Sequence, residues 1–156
     1  MDIHHGMAVR AADPERLYKA LTRQEDLAAW MGVPTLARSE VGSLIEFRIN
    51  QGKSIMQMEV IRLEPNSLVQ WRQIQPIWET ARGVSMPDQM ITWTLSTPFE
   101  SGTLVEFRMG GWLEDGEAYS SNSFKWASLM LRLRVYMGDT RDVIDLIPFI
   151  SGNQSL

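Results

Sequence analysis

The chain carries two histidines, His4 and His5, and no cysteine. Thiolate nucleophiles, iron–sulfur clusters, Cys-type zinc sites and disulfides are therefore excluded. The two histidines are adjacent in a stretch of alternating residues. Neighbours on a strand point to opposite faces, so they cannot hold one metal together. His5 shares its parity with Ile3, Met7 and Val9. It reads first as a half-buried histidine near a strand end. The sharper alternative is a pocket histidine that moves a proton or orients a ligand, but a base needs a positioned partner, and none is legible. No Gly-x-Ser-x-Gly elbow is present, and Met109-Gly110-Gly111-Trp112 lacks the spacing of a phosphate loop. No metal or cofactor is expected. Glu46, Glu59 and Glu106 fall on outward parities and read as a solvated face paired with Arg48 and Arg108. An enzyme built on this chain would have to draw on His5, Tyr18, Gln73, Tyr119 and Tyr136.

The six tryptophans and ten methionines are more distinctive. Trp71, Trp93 and Trp126 fall on inward parities with Met56, Met58, Met109 and Met130. Together they make either a packed core or a deformable apolar interior. Trp30 anchors the short helices, Trp112 stands at a strand end, and Trp78 lies in a connection.

These side chains need elements to place them. The alternation from Ile3 to Val9 predicts a first strand. Asp13 before Pro14 is the start signal of a helix through Leu17 and Leu21. Thr22 and Glu25 have capping-box spacing and predict a second short helix through Trp30, ended by Gly32 and Pro34. Strands follow at Ile45–Ile49, at 54–63 and through Val69, Trp71 and Gln73. A last hairpin spans 89–97 and 103–112. Residues 118–137 run without glycine or proline, too long for a strand. Trp126, Met130, Leu133 and Met137 have helical spacing there, so the segment predicts a long helix ended by Gly138. The expected fold class is α+β: a curved antiparallel sheet of about 6–7 strands wrapped on a long C-terminal helix, with two short helices after the first strand.

The chain has 156 residues and a formal net charge of −4. That length suits one domain with a sizeable core. The acidic balance argues against a nucleic-acid partner. No apolar run approaches the ~20 residues that span a bilayer, so no membrane insertion is expected. Met1-Asp2-Ile3-His4-His5-Gly6 has neither the basic nor the apolar region of a leader, and the expected location is the cytoplasm. The segment 140–156 carries Val143, Ile144, Leu146, Ile147, Phe149 and Ile150. An apolar tail of this kind reads as docking on its own domain, 1–139, or on a second subunit as a homodimer.

Three segments carry a family resemblance. They are Ala12-Asp13-Pro14-Glu15-Arg16-Leu17-Tyr18-Lys19-Ala20-Leu21-Thr22 with Leu27-Ala28-Ala29-Trp30, Val60-Ile61-Arg62-Leu63-Glu64-Pro65 with Leu68-Val69-Gln70-Trp71, and Phe124-Lys125-Trp126 through Leu133. With Ser101-Gly102-Thr103, the chain over roughly 3–137 resembles the START-like SRPBCC superfamily, the helix-grip fold of the birch-pollen allergen and polyketide cyclases. Within it the chain most resembles the branch of the domain related to the activator of the heat-shock protein ATPase. The resemblance implies a cavity between sheet and long helix. His5, Met58, Trp71, Gln73, Trp93, Phe107, Met109, Trp126 and Met130 would line it, with Trp78 and Met86 of the 76–88 connection as a lid. The expected function is binding of a small apolar or aromatic molecule rather than catalysis. A cyclase-, aromatase- or hydrolase-type enzyme using the same cavity, and a protein-partner module, are the alternatives.

Overall fold

The computed structural model describes residues 1–74 and 89–141. Alternation governs the strands. β1 (Ile3–Val9), β3 (Leu44–Ile49), β4 (Ser54–Glu64), β5 (Leu68–Ile74), β6 (Gln89–Ser96) and β7 (Thr103–Met109) each bury one parity. With the two-residue β2 (Thr35–Leu36), which the sequence pattern does not reveal, they form one sheet of order β1-β7-β6-β5-β4-β3-β2. Every neighbouring pair is antiparallel. The register shifts between Val60 and Arg62, a bulge that bends the long β4. β7 ends at Met109 rather than at residue 112, because Gly111 turns the chain with φ 89°.

Asp13 caps α1 (Pro14–Thr22) by accepting a hydrogen bond from the Arg16 N–H at 2.9 Å. Such a cap contributes about 1 kcal/mol. The Thr22–Glu25 capping box does not form. Thr22 is still helical, and its hydroxyl donates to the Tyr18 carbonyl one turn back at 2.8 Å instead of accepting from an N–H of the next helix. α2 (Gln24–Met31) starts from Arg23 without a side-chain cap and ends at Gly32 in the left-handed region. Trp30 ties the two helices together by donating from Nε1 to the Ala20 carbonyl at 2.8 Å.

α3 (Glu117–Tyr136) is the long helix, followed by Gly138 at φ 88°. It buries Trp126, Met130 and Leu133 and packs against β1 and α2, while α1 packs on β5 and β6. Among the described residues no helix is long and apolar enough to cross a membrane.

The outward carboxylates find cross-strand partners instead of Arg48 and Arg108. Glu46 accepts from Gln57 at 3.1 Å, Glu59 pairs with Arg72 at 2.6 Å, and Glu106 lies 3.6 Å from His4. Arg108 lies 3.5 Å from Asp2. The register decides this: Glu46 stands opposite Gln57 and Glu59 opposite Arg72, closer than residues two apart on one strand.

A buried ionic clamp locks the end of α3 to the end of β1. Asp139 accepts from the Arg10 N–H at 2.8 Å and from Arg141 Nε and Nη2 at 2.8 Å each, and it lies 3.2 Å from the buried Arg134. Burial by itself pushes the carboxyl up. The hydrogen bonds from the Arg141 side chain and from the Arg10 and Arg141 N–H groups outweigh it and hold Asp139 well below the usual carboxylate range. A depressed carboxylate stabilises the fold above its unfolded value, about 3.9, and that contribution fades as pH falls below it. Asp139→Asn should therefore lower stability at pH 7 by about 3 kcal/mol, the scale for breaking a buried pair. The gap to the native protein should narrow as pH drops from about 4 towards 2. Urea unfolding across that range checks both.

Candidate functional site

The inner face of the sheet gathers the aromatic side chains. β5 places Trp71 opposite Ile91, and β6 places Trp93 opposite Phe107 of β7. Trp71, Trp93, Phe107 and Trp126 are all 0% exposed. Trp93 meets four rings edge-on: Phe107 at 4.9 Å, Trp71 at 5.8 Å, Trp30 at 6.1 Å and Trp126 at 6.2 Å between centroids. Trp126 lies flat on Phe107 at 5.1 Å. These are favoured aromatic geometries, each adding about 0.5–1.5 kcal/mol beyond burial. Met58, Met109 and Met130 are buried in the same core.

Polar atoms are stranded within this interior. Trp93 Nε1, Trp126 Nε1, Gln73 Oε1 and Gln89 Nε2 are buried without a hydrogen-bond partner, as is Trp112 Nε1 beside Tyr119. Gln73 continues the inward parity of Trp71, and Gln89 that of Ile91 and Trp93. Gln89 was not singled out from the sequence. Its parity on β6 was the available signal, but a strand-end glutamine normally reaches water.

His5 is half-buried beside Phe107, with ring centroids 6.2 Å apart. Its Nε2 lies 3.1 Å from the Ser123 carbonyl oxygen and 3.2 Å from Ser123 Oγ. The hydroxyl distance alone would suit a nucleophile and its base. The carbonyl is an acceptor only, so Nε2 carries the proton and donates, leaving no lone pair there for the serine proton. The pair ties β1 to α3. Tyr119 adds a second tie by donating to the Asp2 carbonyl at 3.1 Å. Tyr136 is far along α3, bonded to Asp26, and Tyr18 is half-buried on α1. Burial raises the Tyr18 phenol. Among the described residues no group of three or more histidines and carboxylates could hold a metal. Trp78 and Met86 lie outside the described residues.

Two clefts lined by described residues open elsewhere. One of about 480 Å³ lies between α2 and α3, lined by Ala29, Trp30, Leu131, Arg132, Val135 and Tyr136. The other, of about 590 Å³, lies at the β2–β3 rim beside Gln24, Arg38 and Glu46. In the first, Arg132 donates from Nε to the Trp30 carbonyl at 2.8 Å and walls the floor.

If His5 serves as a tether, its loss and that of the Ser123 hydroxyl should differ. His5→Ala should cost about 1–2 kcal/mol, while Ser123→Ala, which keeps the carbonyl acceptor, should cost under about 0.5 kcal/mol. Urea denaturation of the two variants measures the difference.

No curated protein matches the chain. Solved structures do. The solution structure of the Aha1 dimer from Colwellia psychrerythraea is 29% identical, with TM-score 0.73 over 86% of this chain and 93% of that one. DynU16, a putative protein in the dynemicin biosynthetic locus, is 17% identical, with TM-score 0.71 over 88% of this chain and 47% of that one. PFC0360w, an HSP90 activator from Plasmodium falciparum, is 14% identical, with TM-score 0.65 over 88% and 95%. The last two show the fold alone. The family model for Activator of Hsp90 ATPase homolog 1-like protein matches residues 11–138, from the approach to α1 to the turn after α3. The strand order, the paired short helices and the long closing helix agree with that match, and the chain belongs to the Activator of Hsp90 ATPase homolog 1-like family, with the helix-grip fold of the SRPBCC superfamily.

Proposed function

We propose that the chain binds a small hydrophobic or aromatic molecule between the sheet and α3. The aromatic cluster would form the wall, and His5, Met58, Gln73, Met109 and Met130 would stand around the ligand. One observation carries this reading. The interior is apolar, yet Gln73 Oε1, Gln89 Nε2, Trp93 Nε1 and Trp126 Nε1 are buried in it without partners. Buried polar atoms are satisfied in the great majority of cases, and each unsatisfied one costs about 1–3 kcal/mol. A bound molecule with polar atoms at those places would remove that cost. Methionines give such a site its shape tolerance, because their unbranched chains repack around different outlines. Binding is favoured over chemistry because, His5 apart, the interior offers indoles, thioethers and amides that do not transfer protons near neutral pH, and His5 Nε2 is engaged by the Ser123 carbonyl.

Native mass spectrometry of the purified protein, followed by denaturing mass spectrometry of the same sample, tests this. A small added mass that disappears on denaturation is expected. An unadorned native mass, together with tryptophan fluorescence that flat aromatic probes leave unquenched, would overturn the reading.

Self-association through residues 140–156 is a second reading, favoured by where the clamp delivers the chain. Arg141 is held on Asp139, and its Nη2 reaches the Ala8 carbonyl at 3.4 Å, so the last described residue lies beside the edge strand of the sheet. A relative described as a dimer is consistent with it. Residues 142–156 lie outside the described residues. In sedimentation velocity, the full chain should run as a dimer and a chain ending at Arg141 as a monomer. Equal masses for the two would remove this reading.

A further inference from the structure

Gln73 and Gln89 stand directly opposite each other in the β5–β6 register, and both face inward. Opposed residues in such a ladder have Cα atoms roughly 4.5–5.5 Å apart. Two glutamines this close could bond amide to amide. Instead Gln73 Oε1 and Gln89 Nε2 both lack partners, and Gln89 is only 4% exposed. One stranded atom is an acceptor and the other a donor. Met58 flanks Gln73 on the β4 side, and Trp71 and Ile91 form the next row along the sheet. The polar pair thus sits at the edge of an apolar, aromatic-walled floor. α3 packs mainly on β1 and α2.

We infer that the Gln73–Gln89 pair reads a cis-amide edge on a flat ring, the adjoining C=O and N–H of a lactam. This rests on the ligand-binding reading above and specifies its chemistry. The ligand carbonyl accepts from Gln89 Nε2, and the ligand N–H donates to Gln73 Oε1. The ring lies against Met58, beside the pair, and the next row of Trp71 and Ile91. A plain hydrocarbon leaves both amides unsatisfied. A carboxylate sets a second acceptor against Gln73 Oε1 and is disfavoured for that reason. A site whose buried polar groups are left unpaired by the wrong molecule discriminates more strongly than one that senses shape alone.

Three bicyclic probes of one size separate these cases: 2-quinolone, naphthalene and 2-naphthoate, titrated against tryptophan fluorescence. The native protein should bind 2-quinolone at least about tenfold tighter than either of the others. In the Gln73→Leu/Gln89→Leu double variant, the preference for 2-quinolone over naphthalene should vanish or invert. Because both stranded atoms are removed, the unfolding midpoint of the ligand-free variant should equal or exceed that of the native protein. A lower midpoint would mark the amides as structural and overturn the inference. Equal binding of naphthalene and 2-quinolone by the native protein would overturn it too, while leaving the ligand-binding reading standing. If none of the three probes binds either protein, that reading falls along with it.

Discussion

Trp93 touches a ring from each of four other elements: Trp30 of α2, Trp71 of β5, Phe107 of β7 and Trp126 of α3. The sheet, the short helices and the long helix would otherwise share only diffuse apolar contact. Edge-on packing is directional, because the positive rim of one ring must meet the negative face of the next. Each neighbour's position therefore constrains the others. If Trp126 moved by one helical position, it would leave Phe107 as well as Trp93. The orientation of α3 across the sheet follows from this, and so does the placing of Met58, Met109 and Gln73 around the same core.

The sequence makes the parity of this arrangement legible. Ile45, Phe47, Val69, Trp71, Val105 and Phe107 alternate with polar neighbours and are buried as that alternation requires. Asp13 before Pro14 and Gly138 after Tyr136 mark helix ends through local stereochemistry, and both stand where expected. What was not legible depends on partners far along the chain or on competition between near neighbours. Thr22 could accept from an N–H of the next helix or donate to the carbonyl one turn back, and it does the second. Glu59 took Arg72 because the β4–β5 register sets them opposite, and register is a property of two strands. His5 meets Ser123 across 118 positions, and Arg10 meets Asp139 across 129. No local pattern announces either. β2 is only two residues long and has no alternation to read. Of the candidate site, the aromatic and methionine positions could be read from parity. The stranded state of the amides could not, since it is defined by the atoms that fail to arrive.

The interior differs from an ordinary core in where its polar atoms lie. The outer sheet face spends its charges in cross-strand pairs such as Glu59 with Arg72. The C-terminal end spends Arg134, Asp139 and Arg141 on a buried clamp. Both sets of charges are paired and help to hold the fold, although Arg134 Nε and Nη2 are buried without a hydrogen-bond partner. The inward indoles and amides are not satisfied, and a core selected only for stability would replace them with hydrocarbon of the same volume. Their clustering on one apolar face, opposite each other at Gln73 and Gln89, fits a role outside folding.

The clamp also bears on how the protein is made. Arg10 lies in the first tenth of the chain and Asp139 in the last eighth, yet they share a hydrogen bond. β1 pairs with β7, the last of the described strands, and α3 seats Trp126 against Trp93. A ribosome releasing this chain thus exposes an unfinished sheet, its inner aromatic face open, until α3 has emerged. Such long-range closure slows folding and leaves apolar surface uncovered in the interval. The final helix acts as a checkpoint: a chain cut short before it has a nearly complete set of strands and no means of closing them, which makes truncated copies natural clients for the cell's holding and disposal machinery.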